Sequence, residues 1–253
     1  MSTPPIKLFI FGFSGKMGTA IRTSLPQGFQ VIGGLSQKGV HILDTHNPLL
    51  SLCSQKKGSF GLHPIHQLTQ LLQKNTPDIF LDFSSPVLLD RLLDTALLFQ
   101  KPLLIATTGY TQKAKAKIKC SAKKIPILLA PNLSWGICIL TQIAKQVQNA
   151  LPNSEIVILE KHHNQKKDRP SGTAKAIKSA LKNNNPHTQP HTLSIRGGNT
   201  PGTHELYFYD GDETIVLTHT ALSRTIYTNG TQKAISYLLS HPPALYTMND
   251  ICH

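Results

Sequence analysis

Acidic residues are scarce in this chain: 13 Asp and Glu stand against 26 Lys and Arg, a net charge of +13 with His neutral. Such an excess draws anions toward the surface. Aromatic residues are also few, at 6%, and the lysines are dispersed. The densest run, Lys113-Ala-Lys-Ala-Lys-Ile-Lys119, reads as the charged surface of one helix. A nucleic-acid groove needs clustered cations with interleaved aromatics, so the expected anions are small molecules and no nucleic-acid partner is expected. The four cysteines, Cys53, Cys120, Cys138 and Cys252, form no CxxC pair and have no His at finger spacing. They are expected to be reduced packing thiols rather than a zinc or disulfide framework. No apolar run exceeds strand length, and no basic stretch followed by an apolar one opens the chain, so neither a membrane partner nor export is expected, and the expected location is cytoplasmic. HExxH is absent, and the one HxxxH pair, His187 and His191, encloses Pro190. No metal site is expected.

What is present suits buried cores: 253 residues, 40% of them hydrophobic. Strand and helix patterns alternate through the first half. Strands are expected at residues 6–11, 30–35, 79–83, 103–107 and 125–130, and helices at 16–25, 63–74, 85–100 and 111–124. Alternating βα units argue for a parallel sheet with helices on both faces. Beyond Pro131 the order changes. A helix over 134–151, a strand over 155–160 and a helix from Gly172 precede three strand-like segments at 192–196, 204–209 and 214–220. A last helix follows at 230–240. Consecutive strands predict a second, smaller α+β domain with a mixed sheet. The expected division is a Rossmann-like dinucleotide-binding domain over 1–132, completed by 224–253, and a substrate-binding and oligomerisation domain over 133–223.

The first strand runs into Gly12-Phe-Ser-Gly15-Lys-Met-Gly18 and then a helix. Glycines allow a tight turn and close approach of a pyrophosphate, and the helix start offers backbone N–H groups. NAD sites usually carry an acid at the end of the second strand. Here that stretch is Ser36-Gln37-Lys38-Gly39, and Lys38 with Lys16 suits a 2′-phosphate, so NADPH is expected to serve at least as well as NADH. Asp82-Phe-Ser-Ser-Pro86 and Thr107-Thr-Gly-Tyr110 fall at the ends of later strands, where open α/β sheets bind ligands.

The most informative stretch is Glu160-Lys-His162-His163-Asn-Gln-Lys166-Lys-Asp168-Arg-Pro170-Ser171-Gly172-Thr173-Ala174. It gathers two imidazoles, several cations and a helix start. Ser171 reads as the N-cap, which places the N–H groups of Gly172 and Thr173 toward an anion. Either imidazole is a proton donor near neutral pH. Adjacent histidines leaving a strand point to opposite sides, which disfavours chelation of one ion.

On these segments the chain resembles the 4-hydroxy-tetrahydrodipicolinate reductase (dihydrodipicolinate reductase) family over nearly its whole length. The match includes Gly12–Gly18, the 82–86 and 107–110 segments, Ala130-Pro-Asn-Leu-Ser-Trp-Gly136 and the double-His loop ending in Pro170-Ser-Gly-Thr-Ala174. It continues through Arg196-Gly-Gly, His219-Thr-Ala-Leu-Ser-Arg224 and the Gly230 helix. The resemblance implies an NAD(P)H-dependent reduction of a cyclic dicarboxylate with loss of water, in diaminopimelate and lysine biosynthesis, by a homotetramer. It implies His162 as general acid/base and Lys166 as second proton donor, with His163, Gly172 and Thr173 on substrate carboxylate. Gly12, Phe13, Ser14, Gly15, Lys16, Met17, Ala106, Thr107, Thr108, Ala130, Pro131, Asn132 and Leu133 would line the coenzyme. Departures are the missing acid after the second strand, Ala106 for the usual Gly, Leu133 for the common Phe, and Arg169 for a small residue. Fold and coenzyme loop alone leave two other readings open: an oxidoreductase of another cyclic dicarboxylate, or an idle nucleotide-binding regulator.

Overall fold

The computed structural model describes residues 4–43, 60–200, 202–223 and 225–252. The chain divides into two compact units. One comprises residues up to Leu133 together with Tyr227–Ile251; the other comprises Ser134–Ile226 with Cys252.

The first unit holds an eight-stranded sheet among the described residues. Its strands are β1 (Ile6–Phe11), β2 (Phe29–Ser36), β3 (Gly39–Leu43), β4 (Phe60–His63), β5 (Ile79–Asp82), β6 (Leu103–Ile105), β7 (Ile127–Leu129) and β12 (Leu245–Tyr246). The spatial order is β12-β7-β6-β5-β1-β2-β3-β4. Pairing is parallel from β12 to β2, and antiparallel for β2–β3 and β3–β4. Its helices are α1 (Lys16–Ser24), α2 (Leu68–Lys74), α3 (Leu89–Leu98), α4 (Gln112–Ser121), α7 (Thr225–Leu239) and α8 (Met248–Ile251). Alternate strand residues separate two apolar layers. Phe9, Phe11, Phe80, Leu103, Ile105 and Ile127 pack with Leu72, Leu92, Ala96 and Ile118 of α2, α3 and α4. Their neighbours Leu8, Ile10, Ile79, Leu81, Leu104 and Leu128 are fully buried as well. Burial on both faces is why these strands read as continuous apolar runs.

The second unit is a four-stranded mixed sheet of β8 (Glu155–His162), β9 (His191–Arg196), β10 (Gly202–Asp210) and β11 (Glu213–Ala221), in the order β11-β10-β8-β9. Only β8–β9 is parallel. Helices α5 (Trp135–Ala150) and α6 (Gly172–Asn184) cover one face through Ile137, Leu140, Ala144, Ile177 and Leu181, packed on Ile156, Ile158, Leu206 and Phe208.

Four expectations are corrected. The chain at 39–43 and 60–63, where no strand was expected, forms β3 and β4, which extend the mostly parallel sheet by two antiparallel pairings. The helix expected over 63–74 starts later: His63 ends β4, a 3₁₀ turn spans Ile65–Gln67, and α2 begins at Leu68. The tail beyond 240 adds β12 and α8, with Ile127 N–H bonding Ala244 O at 3.0 Å as the tail joins the sheet edge. Finally, Cys138 and Cys252 are paired as a disulfide, with Cα atoms 6.5 Å apart. The fold brings them within bridging range although 114 residues separate them in sequence, a closeness that spacing does not encode. Cys120 is a free thiol, and Cys53 lies outside the described residues. No described helix is long and apolar enough to cross a membrane.

Candidate active site

In the first unit the glycine loop turns between β1 and α1. Gly12 has φ +83°, and a Cβ there would lie 2.4 Å from the Phe83 carbonyl oxygen; only glycine tolerates both conditions. A Cβ on Gly18 would lie 2.3 Å from Gly12 O, so the helix packs directly on the loop. The N–H groups of Gly12 and Phe13 bond Leu35 O at the end of β2, at 2.9 and 3.0 Å. The α1 ladder begins only at Thr19 N–H to Gly15 O, 2.9 Å, which leaves the N–H groups of Lys16, Met17 and Gly18 ahead of it. This is the cradle a pyrophosphate requires. Ser14 and Lys16 are exposed and Met17 half-buried. The Phe13 ring points into the core, stacked on His41 with centroids 4.7 Å apart, so this residue offers the loop its backbone alone.

Charge collects beside that loop. The Arg22 guanidinium lies 4.7 Å from the Phe13 ring centroid, and Lys38 occupies the β2–β3 turn with its N–H on Ser36 Oγ at 3.1 Å. Burial, then the charges of Arg22 and Lys38, hold the His41 imidazole below its ordinary value. Arg22 escaped sequence reasoning, because a single basic residue in the last turn of a helix carries no motif.

The two segments singled out at the strand ends meet at one carboxylate. Asp82 is fully buried and accepts from Ser84 N–H at 3.0 Å, from Ser84 Oγ, and from Tyr110 OH at 3.1 Å. Burial pushes the Asp82 carboxyl up while these donors oppose it. Asp82 therefore joins the loop after β5 to the loop after β6. That second loop carries Ala106, half-buried, with buried Thr107 and exposed Thr108. Ala130 and Leu133 are buried, while Pro131 is exposed and Asn132 half-buried. The α7 backbone passes so close to this segment that a Cβ on Gly230 would fall 1.7 Å from Leu133 O, which explains the glycine in that helix.

In the second unit the double-His loop is organised by a buried ion pair. Glu160 is fully buried at the end of β8. Arg196 of β9 grips it with both guanidinium ends, Nη1 to Oε2 at 2.9 Å and Nη2 to Oε1 at 2.6 Å. Ser171 N–H donates to Oε1 at 3.2 Å, and His162 Nδ1 meets Oε2 at 2.5 Å. Burial alone would raise the Glu160 carboxyl. Hydrogen bonds from Arg196, Ser194 and His162 outweigh that and hold it at about 2. An ionised Glu160 fixes the proton of His162 on Nδ1 and leaves Nε2 as the working nitrogen. A Cβ on Gly202 would lie 3.0 Å from that Nε2, so glycine keeps its approach open. Burial lowers the His162 pKa; Glu160 works against this, and the charges of Lys166 and Arg196 reinforce it.

Arg196 also shapes the loop, donating Nε–H to Lys166 O at 3.3 Å and Nη2–H to Asp168 O at 2.6 Å. Ser171 is the N-cap expected for α6, its Oγ accepting from Ala174 N–H at 3.1 Å. Gly172 and Thr173 form the first turn. The Asp168 carboxylate lies 2.8 Å from Lys166 Nζ and accepts from Gly172 N–H. Thus a carboxylate of the chain itself rests on Lys166 and the start of α6. Half-buried His163 follows β8, its carbonyl accepting from Lys166 N–H at 3.2 Å. Glu160 stands in sequence beside the two histidines, where a carboxylate could serve as a metal ligand. The long-range pairing of Glu160 with Arg196 spends that carboxylate elsewhere, and no group of three or more His, Cys, Asp or Glu side chains suited to a metal occurs among the described residues.

A Rossmann-like sheet with a glycine cradle, and in the same chain a mixed-sheet unit with an anchored imidazole, define the class: a two-unit NAD(P)H-dependent oxidoreductase. The family models described as "Dihydrodipicolinate reductase, N-terminus" and "Dihydrodipicolinate reductase, C-terminus" match residues 6–133 and 136–252. The chain belongs to the dihydrodipicolinate reductase family. It is 32% identical to the 4-hydroxy-tetrahydrodipicolinate reductase of Alkaliphilus metalliredigens, over 97% of this chain and 98% of that protein. It is 36% identical to the enzyme of that name from Bdellovibrio bacteriovorus, over 69% of this chain and 76% of that protein. In fold it is similar to the dipicolinate-bound dihydrodipicolinate reductase from Paenisporosarcina sp. TG-14, with a TM-score of 0.78 and 21% identity over 98% of this chain and 99% of that one.

Proposed function

We propose that the chain reduces 4-hydroxy-tetrahydrodipicolinate to tetrahydrodipicolinate in the cytoplasm, on the diaminopimelate and lysine route. The observation that carries this reading is His162, held by ionised Glu160 in the loop that also presents Lys166 and the start of α6. Substrate, reduced coenzyme and one proton give product, oxidised coenzyme and water. When bound, the reduced nicotinamide supplies the hydride that reaches C4 of the substrate. Electron density left on the conjugated imine is quenched by a proton from His162, and Lys166 is the second donor. A lowered pKa makes the His162 imidazolium the stronger acid. His163 and the N–H groups of Gly172 and Thr173 hold a substrate carboxylate. Support comes from Asp168, whose carboxylate already rests on Gly172 and Lys166; the substrate group exchanges with it. Supplying the enzymatically made cyclic substrate is expected to consume the absorbance of the reduced coenzyme. Coenzyme binding without turnover would refute the activity.

The cradle suits the coenzyme, because Gly12 and Gly18 let the loop and the start of α1 pack closely enough to form the tight turn a pyrophosphate needs. The backbone N–H groups of residues 16–18 take the pyrophosphate, with Gly12 to Met17, Ala106 to Thr108 and Ala130 to Leu133 around the rest. Lys38 and Lys16, joined by Arg22, favour a 2′-phosphate, since the stretch from Ser36 to Gly39 has no carboxylate. Titration is expected to give NADPH a dissociation constant no higher than that of NADH; a much lower value for NADH would contradict the assignment.

The second sheet also supports the homotetramer. Its face opposite α5 and α6 exposes the large apolar side chains Leu193, Ile195, Tyr209 and Val216, and exposed apolar groups gathered on one face mark an interface. Solution mass is expected to equal four chains, and a monomer would contradict the proposal.

A further inference from the structure

One buried imidazole touches both parts of the second unit's site. His204 of β10 is 4% exposed. Its ring stands edge-on to His162, with centroids 5.4 Å apart. Its Nε2 lies 3.2 Å from Oγ of Ser171, the N-cap of α6, while its Nδ1 is buried without a partner. Register explains the meeting. His204 sits opposite Glu160 on β8 and opposite His219 on β11, all on the face that α5 and α6 cover.

We propose that His204 is a positioning residue that seats the His162 ring with its own ring and sets the substrate-binding start of α6 through Ser171. The inference rests on the activity proposed above. An imidazole in such a place works only when neutral. Burial, then His162, push it down to about 4, against the pull of Glu160 and with added repulsion from His219 and Lys166. Neutral, it shields the far side of His162 from water without adding a charge. The groups facing His162 are then Glu160 on its own strand, Arg196 on β9, Lys166 on the loop and His204 on β10. Ser171 Oγ accepts the Ala174 N–H and is held in place by His204. The two contacts use different parts of one ring, so they are separable.

Two variants separate them, read by steady-state kinetics against pH with folding checked by circular dichroism. His204→Phe keeps a flat ring against His162 and loses the contact to Ser171. KM for the cyclic substrate is expected to rise about tenfold, the equivalent of one hydrogen bond, while the pH limb of kcat that reports His162 stays put. His204→Gln keeps an amide for Ser171 and loses the ring. KM is expected to stay near wild type, while water reaching His162 relieves its desolvation and moves that limb upward by about half a unit or more. The sign follows from the acid role: a proton donor is active below its pKa, so a raised pKa carries the descending limb to higher pH. If both variants move KM and the limb together, or neither moves either, His204 is a packing residue and the proposal is overturned. A wild-type enzyme that turns nothing over overturns the proposed activity instead, and dipicolinate binding to the His204→Phe variant, expected to weaken by the same factor, still tests the contact to Ser171.

Discussion

Replacing His162 by Gln is expected to lower turnover by roughly 10²–10⁴-fold, the usual contribution of a positioned acid or base. Glutamine retains an N–H for Glu160 and fills most of the space, so the buried ion pair with Arg196 survives. What disappears is the transferable proton of the imidazole. The glycine cradle is built from residues of the other unit, so the coenzyme dissociation constant should change much less than turnover does. Equal loss in kcat and in kcat/KM would show that the interaction acts in the transition state. Near-normal kinetics would remove His162 from the chemistry.

The other large effect is expected at Glu160, a residue that touches no substrate in this account. Glu160→Gln removes the charge that Arg196 was buried to meet; the two side chains are 0% and 2% exposed. Leaving one charge of a buried pair uncompensated costs about 3–5 kcal/mol, measurable as a lower denaturant midpoint. Turnover should fall as well, by roughly 10²-fold or more, because the tautomer and orientation of His162 are no longer set. Stability should also change with pH in a defined direction. Glu160 is held at about 2, below its ordinary 4.5, so its contribution is complete above 4.5 and is lost as pH falls through 2. The Gln variant should lack that acid-side decline. Unchanged stability together with unchanged turnover would mean that the ion pair does not organise the loop.

Much of this architecture is legible in the amino-acid order. Short apolar runs capped by glycine, proline or serine mark β1, β5, β6 and β7, because strands buried on both faces need continuous apolar sequence. Ser134, Thr111 and Ser171 announce helix starts by their chemistry, and each hydroxyl does accept a backbone N–H three residues on. What was illegible is non-local. Strand β12 is two residues long, too short for any periodicity, and exists because the edge of β7 is there to pair with it. Strands β3 and β4 form through antiparallel pairing, where half-exposed sequence such as Phe60-Gly-Leu-His63 carries little pattern. The same holds at the site. The double-His loop stands out, yet the residue that organises it, Arg196, lies 36 positions from Glu160. His204 lies on a third strand, and nothing in its neighbours sets it apart from a surface histidine.

The central claim, that this chain carries hydride to C4 of a cyclic dicarboxylate and quenches the product with its own proton donor, is tested most directly by isotope tracing. Reduced coenzyme deuterated at the transferable position should place one deuterium at C4 of tetrahydrodipicolinate, with solvent supplying the proton. Product without deuterium at C4, or label found at another carbon, would contradict the account.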